Sequence, residues 1–290
     1  MADSELTSDD FVGRGHVSRG VWAPELKGKV AIVTGAGRLR GIGRMTALEL
    51  ARNGVHVYVT GTGRDPSRYT PDELAVGWKD VHSVAEEAAT YGVQAEAVVL
   101  SIADDAAVEK LYGDIVARHG RVDILINNAS AARGPDRKPV IDMDATVWRN
   151  LFEVNVTGTM LMSRAAAREM VRQGEGGSII NVSSIASKVP MKNISAYASS
   201  KAAVDMFSRC LAQELAGNSI RVNAINPGAV ETARLDDIGR GEAWQAARGT
   251  TPLGWASDGM DIAYMCVYLA SSMGAWITGQ AINVDGGRAW

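Results

Sequence analysis

The sequence predicts an α/β fold in which a doubly wound parallel sheet lies between two layers of helices in a single domain. Short segments that are apolar throughout alternate with longer segments whose apolar residues recur at helical spacing. Strands of this kind are buried on both faces, as in a parallel sheet covered by helices. No internal repeat or shift in composition marks a second domain, so residues 26–290 are predicted to form one domain behind an extension, residues 1–25.

The elements follow one another in strand–helix order along the chain. Strands are predicted at 30–33, 55–59, 95–100, 123–127, 178–182 and 220–225. Helices are predicted at 43–53, 72–91, 105–119, 144–172 and 196–216. Residues 231–256 are instead rich in loop-forming residues. A segment of that kind over the carboxyl end of a sheet often serves as a substrate lid.

The turn between the first strand and the first helix is rich in glycine. It reads Thr34-Gly35-Ala36-Gly37-Arg38-Leu39-Arg40-Gly41-Ile42-Gly43. Glycines at this point let the backbone approach a pyrophosphate, which then lies at the positive end of the helix. Glycine-rich turns alone are weak indicators, but the strand–turn–helix context favours a dinucleotide-binding site.

The end of the second strand bears on which dinucleotide is bound. A carboxylate there would accept the ribose hydroxyls of NAD, whereas this chain has Thr62 and Arg64 and no acid before Asp65. A guanidinium can instead bind the 2′-phosphate of NADP, to which Arg38 and Arg40 of the glycine turn could contribute. We therefore expect NADP(H) in preference to NAD(H). The alternative is that Arg64 only points into solvent.

A tyrosine and a lysine lie four residues apart on the predicted helix 196–216. Residues at this spacing project from one face, so the Tyr197 hydroxyl and the Lys201 ammonium can meet. Such a pair arises easily by chance and proves little alone. Its neighbours are more informative: Ser184 follows one strand, Asn127-Asn128-Ala129 ends another, and Asn155 lies within a long helix.

Taken in order, these motifs resemble the single-domain short-chain dehydrogenases/reductases, over residues 26–287. The matching elements are the glycine turn, Asn127-Asn128-Ala129, Asn155, Ser184, Tyr197 with Lys201, Asn226-Pro227-Gly228 with Thr232, and Val284-Asp285-Gly286-Gly287. The resemblance implies a Rossmann-type sheet and a catalytic tetrad of Asn155, Ser184, Tyr197 and Lys201.

The resemblance also implies a role for each member of the tetrad. Tyr197 is expected to exchange a proton with the substrate oxygen, with its high pKa lowered by Lys201. Ser184 is expected to hydrogen-bond the same oxygen. Asn155 is expected to distort its helix and support a water chain to Lys201, which also holds the nicotinamide ribose.

Further cofactor contacts follow from the resemblance. They are Gly35, Arg38, Arg40, Gly41, Ile42, Gly43, Thr62, Arg64, Ser101, Ile102, Asn127, Ala129, Tyr197, Lys201, Pro227, Gly228, Val230 and Thr232. Three positions depart from the family pattern. The glycine turn is two residues longer than usual, Ser101 stands where an aspartate usually meets adenine, and Ser130 replaces the glycine after Asn-Asn-Ala.

Composition and charge exclude several classes of protein. Thirty Lys and Arg against 33 Asp and Glu give a net charge of −3, without a basic block, which argues against a nucleic-acid surface. Cys210 and Cys266 are expected to be two small buried side chains in a reducing compartment. The four histidines are scattered, so no metal site is expected.

One uncharged stretch, residues 262–284, is long enough to span a bilayer. Polar residues and glycines interrupt it, so we expect a buried helix, a turn and a short strand there. The first 25 residues lack the apolar segment of a secretory signal. These features predict a cytoplasmic protein with no membrane partner.

The leading functional hypothesis is an NADP-dependent carbonyl reductase or alcohol dehydrogenase that acts on a small ketone or secondary alcohol. One alternative is an NAD-dependent alcohol dehydrogenase acting oxidatively, and another is a catalytically silent dinucleotide-binding scaffold. Substrate identity is expected to reside in residues 131–139, 189–194 and 231–256, with Met191, Leu235, Trp244, Trp255, Arg133, Asn193 and Arg234 as candidates. Family resemblance implies a homotetramer or homodimer.

Overall fold

The computed structural model describes residues 20–238 and 241–289, and in that part of the chain seven parallel strands form one sheet. The strands are β1 Val30–Thr34, β2 His56–Gly61, β3 Ala95–Val99, β4 Ile124–Asn127, β5 Gly177–Val182, β6 Ile220–Pro227 and β7 Ala281–Val284. Their order across the sheet is β3-β2-β1-β4-β5-β6-β7. The chain therefore reverses its direction of winding between β1 and β4, where open parallel sheets bind their ligands.

Helices connect the strands. They are α1 Ile42–Arg52, α2 Pro71–Ala75, α3 Val81–Ala89, α4 Asp105–His119, α5 Ala145–Phe152, α6 Thr159–Gln173, α7 Ser195–Leu215, α8 Glu242–Gly249 and α9 Gly259–Ala270. A π-helical segment, Glu153–Gly158, joins α5 to α6. Short 3₁₀ turns lie at Pro24–Leu26, Pro66–Arg68, Val140–Asp142, Ile185–Ser187, Ala216–Asn218, Ala233–Ile238 and Ser272–Gly274.

The core consists of two apolar layers, one on each face of the sheet. Strand β1 contributes to both, because successive side chains of a strand point to opposite faces. Ala31 and Val33 join the layer that includes α1, α3 and α9, whereas Val30 and Ile32 join the layer that includes α4, α6 and α7. This arrangement confirms the predicted three-layer, doubly wound fold.

Two predicted helices differ in detail from the observed ones. The helix predicted at 72–91 is divided into α2 and α3, because Gly77 and Asp80 between them have positive φ angles of 61° and 55°. The helix predicted at 144–172 is continuous in direction but contains the π-helical segment. Both interruptions lie at the edge of the sheet where β1, β2 and β4 end.

The long uncharged stretch of the sequence forms ordinary secondary structure of the domain. Residues 262–284 form most of α9, a 3₁₀ turn and β7, as predicted, and none of the described helices is long and apolar enough to cross a membrane.

Ala23 is fully buried in the core, and Trp22 donates from its backbone to Asn53. The domain packing therefore begins before Leu26. The rest of the predicted extension, residues 1–19, lies outside the described residues.

The two cysteines differ in their surroundings. Cys266 is buried, as predicted, and burial raises the pKa of its thiol to about 12. Cys210 on α7 is exposed, so the prediction that both are buried is wrong for this residue. The helical pattern did not identify the face of α7 that it occupies.

Candidate active site

A cavity of about 300 Å³ lies at the carboxyl edge of the sheet. Its walls come from the residues that follow β4, β5 and β6, together with the start of α1 and α7. Because all strands are parallel, the side chains that follow them meet at this one edge. Loops that are far apart in sequence thereby form one site.

The glycine turn fits a pyrophosphate. Gly35 has a φ of +65°, and a Cβ at this position would lie 2.6 Å from the Ala129 Cα atom. Gly41 is the N-cap of α1, and no side chain caps this end of the helix. The N–H groups of the first turn are thus available to an anion. Ala129 and Gly43 contribute close backbone packing, since a Cβ at Gly43 would lie 2.8 Å from the Ala36 Cα.

The three arginines proposed from the sequence for phosphate binding all contact carboxylates. Arg64 forms a bidentate pair with the fully buried Glu73, with Nη1–Oε2 and Nη2–Oε1 distances of 2.8 and 2.9 Å. Arg38 lies 3.7 Å from the same carboxylate and is more exposed. Arg40 pairs with Asp72 and Asp236 instead. Arg64 does not point into solvent, which rules out the alternative considered for it.

Two residues between α2 and α3 also cover the glycine turn. Trp78 Nε1 donates to the Gly37 carbonyl oxygen at 2.7 Å, and a Cβ at Gly37 would overlap the Asp80 carboxylate. Asp80 also accepts from the Arg64 backbone N–H at 2.8 Å. The sequence does not predict that these two residues lie over the glycine turn, because the helical pattern of 72–91 predicts one unbroken helix. Gly77 before Trp78 was the available signal of a turn.

Tyr197, Lys201 and Ser184 meet in the cavity. All three residues line the cavity, and the Lys201 Nζ atom lies 5.9 Å from the centroid of the Tyr197 ring. Lys201 is buried and donates to the Val182 carbonyl oxygen at 2.8 Å. Burial raises the pKa of Tyr197, but Lys201, Arg234, Ser184 and Arg137 outweigh it, so the pKa lies below the ordinary 10.0. Burial also lowers the pKa of Lys201.

Asn155 lies inside the π-helical segment and is in contact with Ser130, which lines the cavity. Its Oδ1 accepts from the Ser130 hydroxyl at 3.1 Å and from the Ala131 N–H at 2.8 Å. Its Nδ2 donates at 3.0 Å to Ser200, on the helix that carries Tyr197. Asn155 therefore links the segment after β4 to α7, and the unusual Ser130 is part of that link.

The Asn-Asn-Ala motif divides between structural and site positions. Asn127 is buried and donates to Ser163 and Asn181, so its side chain ties β4 to β5 and α6 and does not line the cavity. Asn128 does line it, and donates to the carbonyl oxygens of Thr34 and Gly35. The Asn127 side chain therefore turns away from the cavity, and a contact between Asn127 and the cofactor stays a prediction that falls to its backbone.

Most of the remaining residues that are predicted to contact the cofactor line the cavity, and three lie elsewhere. Ile42, Pro227, Gly228, Val230 and Thr232 line the cavity, and a Cβ at Gly228 would lie 2.8 Å from the Asp285 Cα. Ile102 is instead a core residue packed against Gly158, whereas Ser101 and Thr62 are exposed beyond β3 and β2. The structure thus brings most of the set to one edge, with Ile102 turned into the core.

The residues proposed to contact substrate also divide into two groups. Those that line the cavity are Met191, Leu235, Trp244, Arg133 and Arg234, whereas Trp255 and Asn193 are not part of its lining. Arg137 lines the cavity too and was not singled out from the sequence. Its guanidinium lies 4.8 Å from the Tyr197 ring centroid. The only available signal was the density of basic residues at 133–138.

Comparison with known proteins agrees with this geometry. A family model described as enoyl-(acyl carrier protein) reductase matches residues 35–289. A short-chain type dehydrogenase/reductase of Picea abies is 35% identical over 266 residues, which cover 91% of this chain and 93% of the relative. The chain belongs to the short-chain dehydrogenase/reductase family.

Two further short-chain dehydrogenases/reductases indicate the type of chemistry. An NADP-dependent (R)-specific alcohol dehydrogenase of Lentilactobacillus kefiri is 36% identical over 264 residues, covering 90% of this chain and 97% of the relative. The crystal structure of an acetoin dehydrogenase from Salmonella typhimurium superposes with a TM-score of 0.72 at 35% identity, covering 90% of this chain and 97% of that one. The protein is an NAD(P)-dependent oxidoreductase of ketones or alcohols.

Proposed function

We propose that this short-chain dehydrogenase/reductase interconverts a small ketone and its secondary alcohol with NADP(H), and that Tyr197 exchanges the proton at the substrate oxygen. The observation that carries the proposal is the meeting of Tyr197, Ser184 and Lys201 in one cavity, with the pKa of the tyrosine below its ordinary value. A lowered pKa brings the phenol closer to the pH at which the enzyme works, as general acid–base catalysis requires.

Each residue of the cavity has a defined task in this proposal. When bound, the nicotinamide supplies or accepts the hydride. Tyr197 gives its proton to the substrate oxygen during reduction and removes it during oxidation. Ser184 orients the same oxygen by a hydrogen bond, and Lys201 stabilises the phenolate form of Tyr197 by its charge. Asn155 holds the segment after β4 against α7, which fixes the cavity wall beside these groups.

Activity with a panel of small ketones, read as consumption of NADPH, tests this proposal. We expect turnover in the wild-type enzyme and its loss in Tyr197→Phe, with binding of NADPH retained in that variant. Unchanged activity in Tyr197→Phe would show that another group exchanges the proton.

The preference for NADP(H) rests on the region beyond β2. Thr62 and Arg64 stand where a ribose-binding acid is expected, and Arg38 keeps a partly exposed guanidinium beside the glycine turn. Burial and the neighbouring Arg64 lower the pKa of Arg38, while Glu73 and Asp80 raise it. In this proposal Arg38 contacts the 2′-phosphate, and Arg64 positions Glu73 and the glycine turn.

NAD(H) is the second candidate, and a specific observation favours it. The Arg64 guanidinium already donates hydrogen bonds to Glu73 and Asp80, and the Asp80 carboxylate lies against Gly37. A carboxylate beside the glycine turn could accept hydrogen bonds from ribose hydroxyls and repel a 2′-phosphate. Asp80 would then replace the acid that is missing from the end of β2.

Fluorescence titration of the wild-type protein and Arg38→Ala with NADPH and NADH separates the two candidates. Tighter binding of NADPH, with a loss of about tenfold in Arg38→Ala and no matching loss for NADH, supports NADP(H). Tighter binding of NADH, lost in Asp80→Asn, supports NAD(H). Arg168→Ala, an exposed arginine that contacts Glu109, is the control for charge alone.

The assembly, the domain division and the cellular setting complete the proposal. We propose a homotetramer or homodimer, since the apolar side chains of Met206 on α7 and Trp276 before β7 are exposed in the single chain. We also propose residues 231–256 as the substrate lid, residues 1–25 as an extension to the domain, and the cytoplasm as the site of action. Light scattering of the purified protein tests the assembly: a monomeric mass at micromolar concentration contradicts it.

A further inference from the structure

The substrate end of the cavity holds an unusual density of positive charge. Arg133 and Arg137 reach it from the segment after β4, and Arg234 reaches it from the turn Ala233–Ile238. Lys201 and Arg288 also line it. Among the described residues of the lining none is an aspartate or a glutamate. Like charges repel, so this arrangement is costly unless something negative joins it.

Two of these guanidinium groups lie directly beside the proposed catalytic tyrosine. The Arg137 Cζ atom is 4.8 Å from the centroid of the Tyr197 ring, and the Arg234 Cζ atom is 5.3 Å from it. Arg234 also donates to the Ala131 carbonyl oxygen at 2.8 Å, which joins its turn to the segment that carries Arg137. The two cations therefore approach one point from two separate elements.

One carboxylate lies behind the cluster and only partly balances it. Asp136 is buried, and its Oδ2 atom is 3.5 Å from the Arg137 Nε atom, beyond a good hydrogen bond. Both of these buried atoms lack a hydrogen-bond partner. Burial lowers the pKa of Arg137, as do Arg133 and Arg234, while Asp136 raises it. The cations thus exceed the carboxylates around this part of the cavity.

We propose that the substrate carries a carboxylate, and that Arg137 and Arg234 bind it beside Tyr197. The inference rests on the proposed function, because it takes the carbonyl oxygen of the substrate to lie at Tyr197 and Ser184. Guanidinium groups present planar pairs of N–H donors that match a carboxylate. Bound there, the anion balances the positive charge of these two half-buried guanidinium groups.

The dimensions of the cavity limit the size of this substrate. The guanidinium carbons lie only 4.8 and 5.3 Å from the centroid of the Tyr197 ring, so a carboxylate bound by them lies close to a carbonyl group held at Tyr197, which favours a short acid. The cavity of about 300 Å³ must also admit the nicotinamide. Met191, Leu235 and Trp244 form an apolar wall for a short alkyl group. A short 2-oxo or 3-oxo acid, or the corresponding hydroxy acid, meets these requirements.

The reaction balances with the cofactor class of the family. In the direction of reduction, the carbonyl carbon gains a hydride with its electron pair from the reduced nicotinamide dinucleotide, which is oxidised. The carbonyl oxygen gains the proton of Tyr197, and the tyrosine is reprotonated from solvent. The carboxylate takes no part in bond making and serves only to position the carbonyl group.

Acids and their methyl esters provide the sharpest test, because each pair differs mainly in charge. We expect kcat/KM for 3-oxobutanoate or 2-oxobutanoate to exceed that for its methyl ester by about tenfold or more in the wild-type enzyme. In Arg137→Met and in Arg234→Met we expect kcat/KM for the acid to fall by about 10- to 100-fold, the range given by hydrogen bonds to charged groups. The ester should change by less than about threefold when reduction is measured at a pH on the plateau of its profile, where Tyr197 is in its phenol form in every variant.

The controls separate charge recognition from other effects. Arg168→Met removes an exposed arginine on α6 and should leave the acid-to-ester ratio unchanged. If the arginines served only to lower the pKa of Tyr197, both variants would lose activity on acid and ester equally. Equal losses, or a wild-type preference for the ester, would overturn the proposal.

A binding measurement distinguishes failure of this inference from failure of the proposed function. Calorimetric titration of Tyr197→Phe, saturated with oxidised cofactor, measures the binding of 3-oxobutanoate without turnover. Turnover of uncharged ketones such as acetoin or diacetyl without binding of the acid rejects the inference and keeps the function. Binding of the acid that is weakened by Arg234→Met, with no turnover of any ketone in the wild-type enzyme, supports the anion site and rejects the function.

Discussion

The two ends of the cleft use arginine in opposite ways. At the dinucleotide end, Arg64 forms a bidentate pair with the buried Glu73, and Arg40 pairs with Asp72 and Asp236. At the substrate end, Arg137 and Arg234 lie against the Tyr197 ring, and Asp136 lies beside Arg137 without a hydrogen bond to it. An arginine whose donors are used by carboxylates holds loops together, whereas one in a cationic cavity is suited to bind an anion.

The two regions nevertheless look alike in sequence. Each has several arginines in a glycine-containing segment after a strand, namely 38–40 with 64, and 133–137. The two regions differ in the acidic residues that other segments of the chain bring to them, which for Arg64 are Glu73 and Asp80. The charge of an isolated segment therefore indicates its function less well than the balance of the folded site.

The largest expected effect is at the substrate end. Tyr197→Phe removes the proton that the carbonyl oxygen receives, and general acid–base catalysis contributes about 10²- to 10⁴-fold. We expect kcat to fall within this range while the affinity for NADPH changes by less than about twofold. Steady-state kinetics and a cofactor titration measure the two quantities. Tyr91→Phe changes an exposed tyrosine that follows α3, contacts Arg52 and is not part of the cavity lining, and it should not alter kcat. An equal fall in both variants would contradict the assignment of the proton to Tyr197.

The second effect compares the stabilities of arginine variants from the two ends. Arg64→Met leaves Glu73 buried without its bidentate partner, which costs about 3 kcal/mol or more. At about 2–4 °C per kcal/mol, Tm should fall by about 6–12 °C. Arg234→Met removes a hydrogen bond to a carbonyl oxygen and should cost only about 1 kcal/mol. Scanning calorimetry measures both. A larger loss in Arg234→Met than in Arg64→Met would reverse the comparison.

The third effect is on pH dependence. Oxidation requires the phenolate of Tyr197, so its rate rises as pH rises through the tyrosine pKa, and reduction requires the phenol, so its rate falls there. Lys201, Arg234, Ser184 and Arg137 outweigh burial and place that pKa below 10.0. Arg234→Met removes one cation, so both limbs should move to higher pH by about half a unit to one unit. A profile that stays in place, or moves to lower pH, would exclude Arg234 as a cause of the lowered pKa.

The smallest effect concerns the link that Asn155 forms between the segment after β4 and α7. Ser130→Ala removes one hydrogen bond to Asn155 but leaves the bond from the Ala131 N–H. The loss should be about 1 kcal/mol of stability, with kcat reduced by no more than about fivefold. Thermal unfolding and kcat measured together test this. A much larger fall in kcat would mean that the hydroxyl contacts substrate directly.

Much of the fold was predictable because its signals are local. The buried strands are apolar throughout, and the glycine turn is fixed by Gly35, whose positive φ and contact with Ala129 exclude a side chain. The meeting of Tyr197 with Lys201 follows from helical geometry, and that of either with Ser184 was implied by family resemblance. These parts of the site needed little tertiary information.

The remainder depended on contacts between distant segments. Asp80 reaches Gly37 only because the chain turns at positive φ angles between α2 and α3, and the helical pattern at 72–91 conceals that turn. Asn127 turns inward, where its Nδ2 donates to Ser163 and Asn181, and neither partner is marked in sequence. Arg137 is one of several basic residues in a loop, and its position over Tyr197 is set by folding.

The acid-to-ester ratio of kcat/KM, measured for 3-oxobutanoate and its methyl ester in Arg64→Met and Arg234→Met, tests the division between the two ends most directly. We predict that Arg64→Met keeps the wild-type ratio, whatever its stability or affinity for cofactor. Arg234→Met should lower the ratio by about tenfold or more, because Arg234, unlike Arg64, lies where the substrate carboxylate is proposed to bind. A ratio that is unchanged in Arg234→Met, or lowered equally in both variants, would contradict the account.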